Sequence, residues 1–234
     1  MLNRDLSLSP ILAIRQNRIL RNVYLWMTGG LAFTAVIALG VSSNPTLMRG
    51  LLSNPILFYG LVIGELLLVM FIAARITRLS PTAATGSFVL YAGLNGVTLS
   101  VLFLLFTEQS IATAFLVAAG TFAGTSVWGF TTKRDLTTVG HYAGMAVWGI
   151  LLALVVNMFL RSPALDYLVS LIGVGVFVAL TAYDTQTIKR WNEDAGADMG
   201  EDDFVRLSIL GALKLYIDFI NIFLFLVRLF GSRE

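Results

Sequence analysis

Residues 214–231 read KLYIDFINIFLFLVRLFG, with Lys214, Asp218 and Arg228 as the only charges in an otherwise apolar run. A stretch this long and this apolar is a candidate membrane-spanning helix. An ionised carboxylate near mid-bilayer costs about 2.5 kcal/mol or more. Asp218 therefore needs a partner, a proton or a bound cation, and the rest of the chain must be searched for what supplies it.

Composition sets the class. The 234 residues are 57% hydrophobic and 13% charged, with a mean hydropathy of +0.81. Soluble domains carry about 25% charged residues, so most of this chain must face lipid or other apolar helices. The net charge of +2 comes from basic residues spread over short loops, a pattern that excludes nucleic acid as a partner. With no cysteine, disulfides, thiolate metal sites and cysteine nucleophiles are excluded. The polar, basic first 22 residues and the length of the apolar run after them argue against a cleaved signal peptide.

Seven apolar segments reach the length of about 20 residues needed to span, at roughly 23–42, 52–74, 85–106, 110–130, 139–160, 164–187 and 208–230. Continuous runs of this kind are helices, because backbone groups in lipid must be satisfied within the segment; a β-barrel would show alternating strands of about ten residues. The sequence thus predicts an all-α membrane protein, one domain over 23–231, preceded by a cytoplasmic segment 1–22 whose residues 10–22 form an amphipathic approach to the interface. The connections are short except for 190–204, RWNEDAGADMGEDDF, which reads as a solvated acidic loop. Small residues recur in the helices (GGLAFTA, AGLNG, AAGTFAGTS) and permit close packing in lipid. Trp26, Trp128 and Trp191 fall near helix ends and suit interfacial anchoring.

Basic residues in loops orient such a chain. Arg4, Arg15, Arg18 and Arg21 before the first helix, Arg75 and Arg78 after the second, Lys133 and Arg134 after the fourth, and Lys189, Arg190 and Arg206 around the acidic loop all fall on one side. The other side carries Arg49 and Arg161 between helices. This predicts a cytoplasmic N-terminus in a bacterial inner membrane. Arg228 and Arg233 lie outside, against this rule, if the last helix spans fully, and inside if it is broken or re-entrant.

The intramembrane charges are few: Glu65 in helix two, Asp184 near the end of helix six, and Lys214 and Asp218 in helix seven. Asp184 lies about 7.5 Å along the axis from Lys189, and Asp218 about 18 Å from Arg206, at helical rise. Both fall in the same half of the membrane, within reach of each other given tilt. Two carboxyls in a dry site cannot both ionise cheaply, so three solutions compete. They share a proton and titrate as a unit, they hold a cation such as Ca²⁺ between them, or a basic side chain, Arg75 or Lys214, compensates them. Alternatively Lys214 and Asp218, spaced i and i+4, neutralise each other, and Asp184 is an interfacial residue. Glu65 is either packed against a hydroxyl or a second proton or ion station. Asn95, Asn157 and Asn221 read as interhelical hydrogen-bonding residues, and His141 as a solvated histidine.

Enzyme signatures are missing. There is no HExxH, P-loop or GxSxG, and the lone histidine lies at a helix edge rather than beside a buried serine. The pair Tyr183–Asp184 matches one half of an intramembrane aspartyl protease pattern, but LYID at Asp218 is not the required GxGD. The chain is expected not to be an enzyme.

Three stretches, GFTTKRDLTTVG after helix four, AYDTQTIKRW ending helix six and LYIDFINIFLFLVRLFG in helix seven, together with TGGLAFTAVIAL in the first helix, resemble the Bax inhibitor (YccA-like) family of transmembrane Bax-inhibitor-motif proteins. The resemblance runs from about residue 20 to 231, with the motifs in order and at the family's spacing. It implies a seven-helix bundle with the seventh helix central, an aspartate pair at Asp184 and Asp218, and a pH-sensitive Ca²⁺ leak with H⁺ as regulator. Bacterial relatives are linked to modulation of a membrane-bound AAA protease, which implies an alternative, non-transporting interaction role. The acidic stretch 193–203 departs from the family pattern. No cofactor is expected.

Overall fold

The computed structural model describes residues 18–194 and 199–232. These residues are helical without a strand. In chain order the helices are α1 (Arg18–Ser42), α2 (Pro45–Ser53), α3 (Pro55–Arg75, extended by a 3₁₀ turn Ile76–Arg78), α4 (Pro81–Leu99), α5 (Leu102–Leu105), α6 (Glu108–Thr131), α7 (Thr137–Leu160), α8 (Pro163–Asp194) and α9 (Glu201–Phe230). Seven spans long and apolar enough to cross a membrane result, with α4 and α5 sharing one.

Local chemistry sets the boundaries. Asn44, Asn54, Ser80 and Thr107 each cap the first turn of the helix that follows, and Pro45, Pro55 and Pro81 open three of them, where a missing N–H costs nothing. Arg161 ends α7 in the left-handed region at φ 50°, and Asn157 closes the turn by accepting from the Ser162 amide at 2.9 Å.

The last helix is the axis. In its most apolar window 72% of residues are buried, against 6–33% in the other six spans. A helix apolar on all sides needs protein around it to be buried on all sides, and α9 packs against α8, α1, α6 and α4. Tyr216, without exposed surface, is held edge-on by Phe88 and Tyr91 of α4 at ring separations of 5.9 and 5.7 Å. Its hydroxyl lies 2.7 Å from Thr34 Oγ1 of α1. Because Thr34 spends its one proton on the Ala92 carbonyl, 2.8 Å away, Tyr216 is the donor in that bond.

Several boundaries differ from the sequence reading. The stretch 190–204 is not a loop throughout: α8 continues to Asp194 and α9 begins at Glu201. At about 48 Å by helical rise, α8 is longer than the roughly 30 Å hydrocarbon core, so its polar end continues as helix beyond the apolar run. Glu201, Asp202 and Asp203 occupy the first turn of α9, where carboxylates complement the helix dipole. Arg206 turns back onto Asp203 at 2.7 Å. The approach segment 10–22 is helical from Arg18 onward, and its earlier part lies outside the described residues, as does Arg233. Helix α9 is continuous rather than broken. Its start meets the start of α1 through Arg18 and Glu201 at 3.2 Å. At the opposite end Arg228 faces Asp166 at 4.0 Å, and Ser232 bonds the Thr107–Ser110 turn.

Candidate functional site: a buried acidic and basic triad

Asp184 and Asp218 both project into the contact between α8 and α9, and they are 5% and 3% exposed. Antiparallel packing sets the register. Lys214 Nζ donates to Asp184 Oδ1 at 2.8 Å. One turn further along α9, Asp218 faces Thr181, one turn back on α8. The two carboxyls are therefore staggered by about a turn and share no hydrogen bond among the described residues, although they lie near enough for their charges to act on each other. Of the three arrangements that the sequence leaves open, the described residues show a basic side chain, Lys214, bonded to the shallower acid, so the site is a triad. The alternative i, i+4 pairing of Lys214 with Asp218 gives way to this interhelical bond.

Asp218 is left short of donors. Among the described residues its Oδ2 is buried without a hydrogen-bond partner. The Thr181 hydroxyl beside it is also within hydrogen-bond distance of the Phe177 carbonyl of its own helix, at 2.8 Å. The site thus holds two carboxyls and one ammonium, and the ammonium bonds Asp184. The Lys214 side chain keeps 34% of its surface, against 8% for Asp184, so the triad opens along the lysine.

The other charges fall elsewhere. Arg75 is exposed at the end of α3 and, among the described residues, forms no ion pair or hydrogen bond with either aspartate; Lys214 takes the compensating place. Glu65 is half-buried on α3, and Asn95 and Thr98 of α4 donate to its two oxygens at 3.2 and 3.0 Å. It belongs to a separate polar cluster on the far side of α9 that runs through Asn95 and Tyr91 to Tyr216. Of Asn95, Asn157 and Asn221, Asn95 bonds between helices, whereas Asn157 caps α7 and Asn221 bonds the Ile217 carbonyl of its own helix; Asn192 of α8 also bonds across, accepting from the Ile19 amide of α1 at 3.2 Å. His141 is exposed near the start of α7. No group of three or more His, Cys, Asp or Glu able to hold a metal occurs among the described residues, and Ca²⁺ takes six to eight oxygens. Two carboxylates are too few for a resident ion, though they can engage a passing one.

At the polar end of α8 a second layer ties the connection between α6 and α7 to the triad. Asp135 Oδ1 accepts from Arg190 Nη2 at 2.6 Å and from the Thr137 hydroxyl and amide at 2.6 and 2.9 Å. The Arg190 bond, with help from Thr137, holds this exposed carboxyl well below the usual carboxylate range. Gln186 accepts from the Leu136 amide at 2.9 Å and donates to the Arg134 carbonyl at 2.8 Å. The sequence reading missed Gln186, Arg190 and Asp135. The available signal was Gln186 and Arg190 at i and i+4 on one face of a helix, opposite an acid in the preceding loop. Close approach also matters. A Cβ on Gly129 would meet the Ala182 carbonyl oxygen at 2.5 Å, and one on Gly140 would enter the Tyr183 ring. These two glycines let α6 and α7 seat the segment that carries Asp184.

The fold and the site define a seven-span helical membrane protein with its central helix carrying a buried acid. Residues 16–234 match the family described as "Inhibitor of apoptosis-promoting Bax1", and the chain belongs to this Bax inhibitor family. It is 46% identical over 212 residues to inner membrane protein YbhL of Escherichia coli K12, covering 91% of this chain and 90% of that one. Uncharacterized proteins of Borreliella burgdorferi and Deinococcus radiodurans are also similar. The first is 42% identical, with 94% of each chain covered. The second is 41% identical, with 90% of this chain and 89% of that one covered.

Proposed function

We propose that the chain is a pH-sensitive cation leak, with Ca²⁺ as the transported ion and H⁺ as the regulator, closed by the triad of Asp184, Lys214 and Asp218. It works without enzymatic chemistry, in a bacterial inner membrane with a cytoplasmic N-terminus. The observation that carries the reading is the Asp218 carboxyl, buried against α8 with an oxygen that has no hydrogen-bond partner among the described residues. Two carboxylates and one ammonium leave one negative charge, and one proton makes the site neutral. In that state α8 and α9 pack without an uncompensated buried charge, which would otherwise be strongly destabilising. Loss of the proton leaves a net negative charge between the two helices. A cation entering along Lys214 relieves it, and α9 loosens from its neighbours.

Bundle geometry supports this division of labour. Helix α9 touches four of the surrounding helices, so a small shift at Asp218 is felt across the bundle. The basic loops at the Lys214 end match the side that the positive-inside rule assigns to the cytoplasm. The inner membrane location of the Escherichia coli relative supports the same site for this chain.

The test is Ca²⁺ flux into dye-loaded vesicles as a function of pH, comparing wild type with Asp184→Asn and Asp218→Asn. The proposal requires a pH-dependent flux that each substitution alters. Flux equal to that of empty vesicles, together with recovery of a membrane-bound AAA protease by pull-down, would favour the non-transporting interaction role instead.

A further inference from the structure

The ring of helices around α9 is incomplete. Helices α1 and α6 both pack on α9 but make little direct contact with each other. The space between them is a groove of about 790 Å³, floored by Phe219. From Arg21 to Ala35 it runs about 21 Å at helical rise. One leaflet of a bilayer core is about 15 Å deep, so the groove takes a whole acyl chain. It lies within two spanning helices, where water does not reach, and Arg21 is the one charged residue in its lining.

Arg21 stands at the end shared with the other basic residues and is exposed. Among the described residues it has no ion pair or side-chain hydrogen bond. Phe130 lines the same groove. Lys189 Nζ, paired with Glu193 at 3.9 Å, sits 5.1 Å from the centre of the Phe130 ring. Arg21 is thus the charge at the polar end of an apolar slot. An acyl chain gains little by leaving bulk lipid for such a slot, because lipid tails are already as apolar as its walls. Selectivity must come from the headgroup, and the charge at the mouth selects an anionic one.

We propose that the groove between α1 and α6 is a binding site for an anionic glycerophospholipid, with an acyl chain along the groove and the headgroup phosphate at Arg21. The bound chain would lie against Phe219, which follows Asp218, and against Ser126, whose hydroxyl accepts from Thr185 at 3.5 Å next to Asp184.

Native mass spectrometry of the full chain in detergent, titrated with phosphatidylglycerol or phosphatidylethanolamine of identical acyl composition, tests the site. Wild type should retain phosphatidylglycerol in preference. Arg21→Ala should reduce that preference roughly fivefold, while Arg49→Ala, on α2 away from the groove, should not. Ala123→Trp and Ala32→Trp, on exposed positions of the two groove walls, should each remove most of the bound lipid. Equal retention of both lipids by wild type would overturn the assignment, and so would an unchanged preference in Arg21→Ala. Wild-type lipid binding in both tryptophan variants has the same consequence. A dimer peak that both tryptophan variants abolish while the lipid count holds would show that a second copy of the chain fills the groove instead.

Discussion

Lys214 Nζ and Asp184 Oδ1 stand 2.8 Å apart between α9 and α8, while Asp218, one turn from the lysine on its own helix, keeps a buried oxygen with no donor. The geometry divides the acids into two kinds. Asp184 is compensated by a fixed cation on the neighbouring helix. Asp218 forms no ion pair among the described residues.

Lys214→Met should destabilise the protein by about 1–3 kcal/mol in detergent. Removing one partner of a closed buried pair costs more than this, but the lysine retains a third of its surface, which weakens the bond by solvent screening. The loss should shrink in the double variant Lys214→Met/Asp184→Asn, because the neutral amide no longer needs the cation. Chemical denaturation of the two single variants and the double variant measures the coupling. Strictly additive losses would mean that the observed contact contributes nothing.

Asp218→Asn should fold at least as well as wild type, within about 0.5 kcal/mol, while Asp184→Asn should not. An asparagine at 218 removes a buried charge that has no ion pair among the described residues and keeps a polar group beside the Thr181 hydroxyl, whereas at 184 it leaves the Lys214 ammonium without its counter-charge. Thermal unfolding ranks the pair. In the flux assay Asp218→Asn should flatten the pH response, since the exchangeable proton is gone. A pH profile in that variant identical to wild type would place the titrating group elsewhere.

Asp135 and Arg190 make a different prediction. The folded chain holds the Asp135 carboxyl below its ordinary range, so its stabilising contribution is fully present above the unfolded value of about 3.9 and is lost as pH falls below it. The stability gap between wild type and Asp135→Asn should therefore be constant from about pH 5 to pH 8 and should close only in acid. Unfolding curves at several pH values measure it. The same substitution should leave the midpoint of any flux response near neutral pH unmoved, because this carboxyl does not titrate there. A gap that changes between pH 6 and pH 8 would contradict the observed bonding.

The sequence identified the seven spans and the two aspartates because apolar length and misplaced charge are one-dimensional signals. Asp184 and Asp218 stand out in their runs whatever the neighbours. The partner was harder to read. Arg75 and Lys214 were equally plausible compensators, and only the antiparallel register of α8 and α9 shows that Asp184 lies level with Lys214 while Asp218 lies level with Thr181. The acidic stretch after α8 was misread as loop throughout because charge suppresses a hydropathy signal without suppressing helix. For Gln186 the side-chain patterning shows only Arg190 one turn along the same helix, at 2.8 Å; its bonds to the Leu136 amide and the Arg134 carbonyl, backbone groups about fifty residues away, leave no mark there.

Glu65 supplies a last prediction, because its bonds distinguish packing from charge. Asn95 is 6% exposed and directs its amide to Glu65 Oε2 at 3.2 Å. The Thr98 hydroxyl has an alternative acceptor in the Asn95 carbonyl at 3.0 Å, so only the asparagine depends on the glutamate. Glu65→Gln retains a side-chain oxygen for it and should cost under about 1 kcal/mol. Glu65→Leu removes the acceptor, leaves a buried amide unpaired and should cost about 1–3 kcal/mol, even though leucine suits a lipid-facing helix better than glutamate. The damage should be relieved by Asn95→Ala in the same chain, since the orphaned donor goes with it. Denaturation of wild type and these three variants in one detergent decides the matter. If Glu65→Leu proves as stable as Glu65→Gln, the hydrogen bond to Asn95 does not hold α3 against α4, and the carboxyl is retained for its charge rather than for packing.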